Sequence, residues 1–141
     1  MIYADTSALV KRYLDEPFSA DFETLLEQGS MAISRLTIVE MRCALARRRR
    51  NREIDAVRES RANAELAADI QDGALMVSDI DNAHFTAAYH LIGRLADIPL
   101  RTLDALHLAI AHDIAASGLA TADRKQADAA EALGFTVFRF H

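Results

Sequence analysis

Four acidic residues stand out by their local setting: Asp5, Glu40, Asp104 and Asp123. Asp5 closes the short apolar run Ile2-Tyr3-Ala4, and Asp123 closes Leu119-Ala120-Thr121-Ala122, each just ahead of a helical pattern. Glu40 is surrounded by Leu36, Ile38, Val39, Met41, Cys43, Ala44 and Leu45, which leave little solvated stripe, and a carboxylate in such a setting needs a partner or a function. Asp104 falls in the first turn of another apolar helix. Taken singly, Asp5 and Asp123 also read as helix caps, and Asp104 as a complement to its helix dipole. Taken together, acids gathered in one crevice raise each other's pKa or are offset by cations. Lys11 and Lys125 are the only nearby lysines, and no Cys or His cluster has zinc spacing. The pattern therefore points to a hard divalent cation, magnesium or manganese, bound through carboxylate oxygens and water. Such a cation lowers the pKa of a water bound to it.

Whether the four acids meet is a question of topology. Ile2-Tyr3-Ala4 reads as a strand, followed by a helix that Thr6-Ser7 can cap and that carries Ala8, Leu9, Tyr13 and Leu14 on its apolar side. Met31-Ala32-Ile33 reads as a second strand, and Ser34 as the cap of a helix from about Leu36 to Arg50, with Glu40 in its early turns. The third strand, ending on Asp123, is entered through the Ser117-Gly118 break. The helix before it, from about Leu103 to Ala116 with Thr102 as cap, must run antiparallel to that strand if the connection is short, which carries Asp104 to the same edge. Leu75-Met76-Val77 and Thr136 to Phe140 read as two more strands, the last alternating as an edge strand does. The expected fold is α/β: one domain over residues 1–141, three layers in α/β/α order, and a mainly parallel central sheet of four to five strands. In such sheets ligands bind at the carboxyl edge.

Four segments in this order resemble the PIN-domain family, and within it the VapC-type toxins of bacterial toxin–antitoxin pairs: Asp5-Thr6-Ser7-Ala8-Leu9, Leu36-Thr37-Ile38-Val39-Glu40, Leu103-Asp104-Ala105-Leu106-His107-Leu108-Ala109 and Thr121-Ala122-Asp123. The resemblance spans nearly the whole chain. It implies a PIN-like fold and a magnesium- or manganese-dependent endoribonuclease in which Asp5, Glu40, Asp104 and Asp123 hold the metal. Asp5 and Asp104 would be the principal ligands, with Glu40 and Asp123 as ligands or as bases acting through water. Thr6, Ser7 and Thr121 would be supporting hydroxyls. The same resemblance implies a homodimer and a small antitoxin that inserts a basic side chain into the acidic pocket, with the helices Phe18 to Leu26 and Leu36 to Leu45 as a docking groove.

Composition frames this reading. The 141 residues are 51% hydrophobic, enough for a sizeable core, with no linker, repeat or low-complexity tract. There is no leader-like start and no apolar run of membrane-spanning length, so a soluble, cytoplasmic protein is expected. The single Cys43 has no partner for an internal disulfide and is expected in the core. A net charge of −5 argues against a generic nucleic-acid binder, yet eight arginines lie between Arg42 and Arg61, including the run Arg47, Arg48, Arg49 and Arg50. That run suits bidentate contact with RNA phosphates, docking of an acidic partner segment, or a solvated helix–helix turn. His107, one turn after Asp104, is placed to orient that carboxylate, to touch substrate, or to serve as a hydrogen-bonded structural histidine. His84, His90, His112 and His141 have no evident partner.

Two other functions remain compatible with an acid at the end of the first strand. A haloacid-dehalogenase-like phosphatase would use Asp5 as nucleophile but expects a second acid where Ser7 stands. A non-catalytic interaction module would use the acidic pocket to capture a partner's Arg or Lys, and would need no metal. Nucleotide binding through a glycine-rich loop is excluded, because neither G-x-G-x-x-G nor G-x-x-x-x-G-K occurs.

Overall fold

Five short strands form the sheet: β1 (Ile2–Ala4), β2 (Met31–Ser34), β3 (Leu75–Ser78), β4 (Gly118–Thr121) and β5 (Thr136–Arg139). Seven helices connect and cover them: α1 (Thr6–Tyr13), α2 (Ser19–Glu27), α3 (Arg35–Arg50), α4 (Ala56–Gln71), α5 (Asn82–Arg94), α6 (Thr102–Asp113) and α7 (Arg124–Ala132). The computed structural model describes residues 1–141. The strand order is β3-β2-β1-β4-β5 and every pairing is parallel. The chain builds outward from β1 through β2 to β3 and then crosses to the other side for β4 and β5. The reversal falls at β1, so the crevice where ligands enter such sheets opens beyond its carboxyl end.

Buried parallel strands must be apolar on both faces, and the residues alternate accordingly. Tyr3, Ala32 and Leu119 pack with Leu108 and Ile110 of α6 and Ala129 and Ala130 of α7. Ala4, Ile33 and Ala120 face the opposite way, into a larger core with Leu9 and Tyr13 of α1, Phe22 of α2, Met41 and Leu45 of α3 and Leu66 of α4. The helices thus form two outer layers, α1 to α4 on one face and α5 to α7 on the other, which is the expected α/β/α arrangement. Leu36, at the start of α3, is an exception that packs against Leu106 and Ala109 of the opposite layer. It marks the place where the two layers meet over the edge of the sheet.

Several boundaries differ from the sequence reading for local reasons. Asp5, not Thr6 or Ser7, caps α1 by accepting the Ala8 N–H at 3.0 Å, which frees both hydroxyls for the cleft. Ser34 caps α3 as expected, in a reciprocal box with Thr37. Helix α6 starts at Thr102 with Arg101 in the cap position, and it is Asp104 that folds back to accept the Arg101 N–H at 3.2 Å. Strand β4 ends at Thr121 because the next N–H, that of Ala122, is taken by Ser7 Oγ at 2.8 Å and not by a strand. The arginine-rich segment consists of the last turn of α3, a short connection and the first half of α4, which Asp55 caps. His84 does have partners: Nδ1 accepts the Asp81 N–H, and Nε2 lies 3.1 Å from Asp113, clasping α5 to α6.

At the entry to β4 the sheet depends on a missing side chain. A Cβ at Gly118 would stand 2.8 Å from Phe138 Cε2 and 2.9 Å from the Thr136 carbonyl oxygen of the neighbouring strand. Since backbone cannot move aside as a flexible side chain does, Gly118→Ala should overpack this pairing at a cost of about 1–3 kcal/mol. We expect its Tm to fall by about 3–10 °C in a thermal melt. An unchanged Tm would mean that β5 pairs less tightly than its register implies.

Candidate active site

Asp5, Glu40, Asp104 and Asp123 line one cleft of about 850 Å³ together with Thr6, Ser7 and His107. The convergence expected from topology therefore holds. Asp5 follows β1 and Asp123 follows β4 at the carboxyl edge, Glu40 projects from the second turn of α3, and Asp104 from the first turn of α6. Their exposure grades from floor to rim: Asp5 is 5% exposed, whereas the side chains of Asp104, Glu40 and Asp123 are 15%, 24% and 30% exposed.

Each carboxylate is held by donors from its own neighbourhood. Asp5 Oδ1 accepts from Ser7 Oγ at 2.7 Å and from the Ala8 N–H, and Oδ2 accepts from Thr121 Oγ1 at 2.5 Å. Glu40 Oε1 accepts from Thr6 Oγ1 at 2.9 Å and lies 2.5 Å from His107 Nε2. Asp123 Oδ1 accepts the Gln126 N–H at 3.0 Å as the cap of α7. Asp104 Oδ2 takes the Arg101 N–H and, at 3.4 Å, its Nε. Glu40 Oε2 and Asp104 Oδ1 accept no hydrogen bond from the protein, so both remain available to a ligand in the cleft. Thr6, Ser7 and Thr121 each touch a cleft acid.

Electrostatics separates Asp5 from Glu40. Burial pushes the Asp5 carboxyl above the usual carboxylate range, and the nearby His107 charge and the Thr121, Ser7 and Ala8 donors only partly oppose it. Glu40 goes the other way. Burial alone would raise it, but the His107 hydrogen bond and charge, the Thr6 hydroxyl and the Arg101 charge together hold it below the usual range. Without a cation, Asp5 is thus the acid most reluctant to ionise, while Glu40 is already compensated by the protein.

The positive groups include one that the sequence reading overlooked. Arg101 reaches across the rim, with Nη2 3.8 Å from Asp123 Oδ2, and so faces two of the acids. Its position three residues before Asp104, at the mouth of the helix, was the available signal. Lys11 is turned away from the acids onto Glu16 and the Pro17 carbonyl. Of the arginine run, Arg47, Arg48 and Arg50 line the cleft and Arg49 does not. Arg48 is engaged by Glu16 at 2.7 Å and Arg49 by Glu59 at 3.3 Å, whereas Arg47 and Arg50 are exposed and enter no ion pair. Cys43 is exposed on the cleft wall and not in the core, because at its place on α3 the apolar face has already turned away through Met41 and Leu45. His107 contacts Glu40 and not Asp104: its ring reaches toward α3, while Asp104 is occupied by Arg101.

No three Asp, Glu, His or Cys side chains stand close enough to grip one ion as a closed cage. The donor set is nonetheless all oxygen and negatively charged around a buried, undercompensated Asp5. It suits a hard cation bound through one or two carboxylates that keeps several of its waters. Zinc-type nitrogen and sulfur ligation finds no support in it.

A parallel sheet with acids collected at its switch point defines the class: an α/β protein built to hold charge at a sheet edge. The chain belongs to the PIN-domain family, whose model matches residues 2–132. Its fold is shared with VapC20 of Mycobacterium tuberculosis, a sarcin–ricin-loop-cleaving toxin, at a TM-score of 0.75 and 17% identity, over 96% of this chain and 97% of that one. It is also shared with VapBC2 of Rickettsia felis bound to promoter DNA, at 0.67 and 18% identity over 100% of both chains. A toxin–antitoxin complex from Klebsiella pneumoniae matches at 0.62 and 19% identity over 89% of each chain. No curated protein matches in sequence. No helix is long and apolar enough to cross a membrane.

The buried Asp5 has a measurable signature. Because folding raises its pKa, the native state holds that proton more tightly than the unfolded chain, and its contribution to stability is lost as pH rises through the folded value. In chelator, Asp5→Asn should melt at or above the wild-type temperature near pH 8. The advantage should shrink as pH falls toward the ordinary Asp value of 3.8, because protonation of the folded carboxyl removes the cost of burying its charge. A Tm loss in Asp5→Asn that is the same at every pH would show that the carboxylate is stabilising as it stands.

Proposed function

We propose that this protein is a metal-dependent endoribonuclease and the toxin of a toxin–antitoxin pair. One observation carries the reading: in a PIN-domain chain, the four acids at the sheet edge and Arg47, Arg48 and Arg50 of α3 line the same cleft. The acids give a place to activate water, and the arginines give a polyanion a place to lie.

Magnesium or manganese, held by Asp5 and Asp104 with Glu40 and Asp123 alongside, would offset the phosphate charge and lower the pKa of the attacking water. The chain's own residues do the rest. Asp5 is fixed at the floor by three donors and cannot rotate away. Glu40 stays ionised and keeps Oε2 free, so it can take a proton from water. Arg101 stands beside Asp104 and Asp123 at the rim, where it can turn from carboxylate to phosphate. Arg47 and Arg50, free of ion pairs, hold flanking phosphates of a single strand, and Arg48 is steadied by Glu16. An acidic protein thereby meets RNA through its one dense basic surface.

The antitoxin belongs to the same proposal, supported by solved relatives of similar fold that are toxin–antitoxin assemblies. The contact of Arg101 with two cleft acids shows that the rim accommodates a guanidinium, the group a basic antitoxin side chain would present. We extend the proposal to a homodimer as well. The non-catalytic docking module is the competing reading, and metal dependence separates the two.

Two outcomes are expected. Asp104→Asn, or removal of the metal with chelator, should lower RNA cleavage at least about a hundredfold, with the fold kept by circular dichroism. Added magnesium or manganese should restore the wild type and raise its Tm by mass action. Cleavage that survives exhaustive chelation would defeat the reading. Separately, replacing Arg47 and Arg50 with Ala should weaken RNA binding and make its log–log salt dependence shallower by about 1.4, at 0.7 per lost phosphate contact on a single strand. Cleavage at saturating RNA should barely change. If antitoxin affinity falls instead while RNA kinetics stay put, the arginines serve the partner.

A further inference from the structure

Behind Glu40 runs a sealed line of hydrogen bonds. Tyr3 Oη lies 2.6 Å from His107 Nδ1 and 3.0 Å from Ser34 Oγ, and Ser34 Oγ accepts the Thr37 N–H at 3.3 Å. His107 Nε2 lies 2.5 Å from Glu40 Oε1. Tyr3, Ser34 and Thr37 have no exposed surface and His107 is buried, so water cannot stand in for any member. The line joins the end of β1, the end of β2, α6 and α3, and it crosses from one helical layer to the other.

The protons in this line have little freedom. An ionised carboxylate only accepts, so the Glu40 contact requires hydrogen on Nε2 of His107. The Tyr3 hydroxyl donates to Ser34 Oγ, so its oxygen is free to accept from Nδ1 of His107. Every group is then satisfied, and the Nε2–H of His107 points at Glu40. With Thr6 on the same atom, Oε1 has two donors and Oε2 has none.

We propose that His107 is a positioning residue: Tyr3 orients its ring, and its Nε2–H, together with Thr6, pins Glu40 Oε1 so that Oε2 is reserved for water or cation in the cleft. This rests on the ribonuclease reading for its purpose but not for its geometry. A ring that serves only as a clasp between layers would matter for stability alone, and its replacement would change Tm without changing how the folded protein handles metal or substrate.

The test uses the full-length protein and three variants. His107→Gln places an amide N–H near the position of the imidazole Nε2, His107→Leu removes the donor, and Tyr3→Phe removes the hydroxyl that orients the ring. Nitrogen-15 spectra of the wild-type imidazole should show hydrogen on Nε2, and Tyr3→Phe should broaden or redistribute that signal. At saturating RNA, His107→Leu should lose about 10–100-fold in rate or in manganese affinity, the usual effect of removing a group that orients a ligand, while His107→Gln should recover most of it. Should His107→Leu fail to fold, Tyr3→Phe and His107→Gln decide the matter, with a smaller loss expected for Tyr3→Phe. Wild-type rates and manganese affinity in folded His107→Leu would overturn the proposal, as would equal losses in Leu and Gln or a wild-type ring without hydrogen on Nε2. If the wild-type protein neither binds manganese nor cuts RNA, the ribonuclease reading falls instead, and the imidazole spectrum alone judges whether Tyr3 orients the ring.

Discussion

The rest of the site depends on one constraint: a carboxylate, Asp5, is kept inside the protein at the end of the central strand. Burying a charge is costly unless the surroundings supply hydrogen bonds and opposite charge. The fold supplies the first through Ser7, the Ala8 N–H and Thr121, and supplies the second only in part. Hydroxyls therefore crowd a sheet edge that would otherwise be apolar. The remaining deficit of positive charge is what makes the cleft an attractive place for a cation.

Around this floor the structure divides labour between the oxygens of each acid. One oxygen of Glu40, Asp104 and Asp123 is tied to a helix terminus, a hydroxyl or an imidazole, and this holds the side chain in place. The other faces the cleft or, in Asp123, only the distant Arg101 guanidinium. Helix capping and function thus compete less than they first seem to, since capping uses one oxygen and immobilises its neighbour. The same economy explains why Asp123 satisfies the criteria for an ordinary cap and still lines the cleft.

Much of this was legible in the sequence because the relevant signals are local. The strand end at Ala4, the cap at Ser34 and the arginine-rich end of α3 are set within a few residues, and parallel topology then forces the acids to one edge. What the sequence hid is pairwise and distant. The partner of His107 lies 67 residues away on α3, so a turn-by-turn reading leaves it open between Asp104, substrate and an unnamed structural partner. Cys43 was placed in the core from its neighbours' hydropathy, but where α3 bends its apolar stripe past the cleft only the packed helix can tell. Tyr3 was readable in principle, because it sits two residues before Asp5 and alternation puts both on the same side of the sheet. Thr102 is the cap that residue type suggests for α6, but the cap position falls on Arg101 with Asp104 folded back onto it, and spacing alone does not settle that.

The floor of the cleft is made from opposite ends of the polypeptide. Asp5 is bonded to Thr121, 116 residues later, and the strand that carries Thr121 fills the slot beside β1. A ribosome that has translated the first four-fifths of this chain has therefore made Asp5, Glu40 and Asp104 without assembling the pocket that joins them. Until β4 emerges, Asp5 lacks one of its donors and the central strand has an open edge. Pairing of β4 with β1 brings Thr121 onto Asp5 and completes the floor of the pocket in one step.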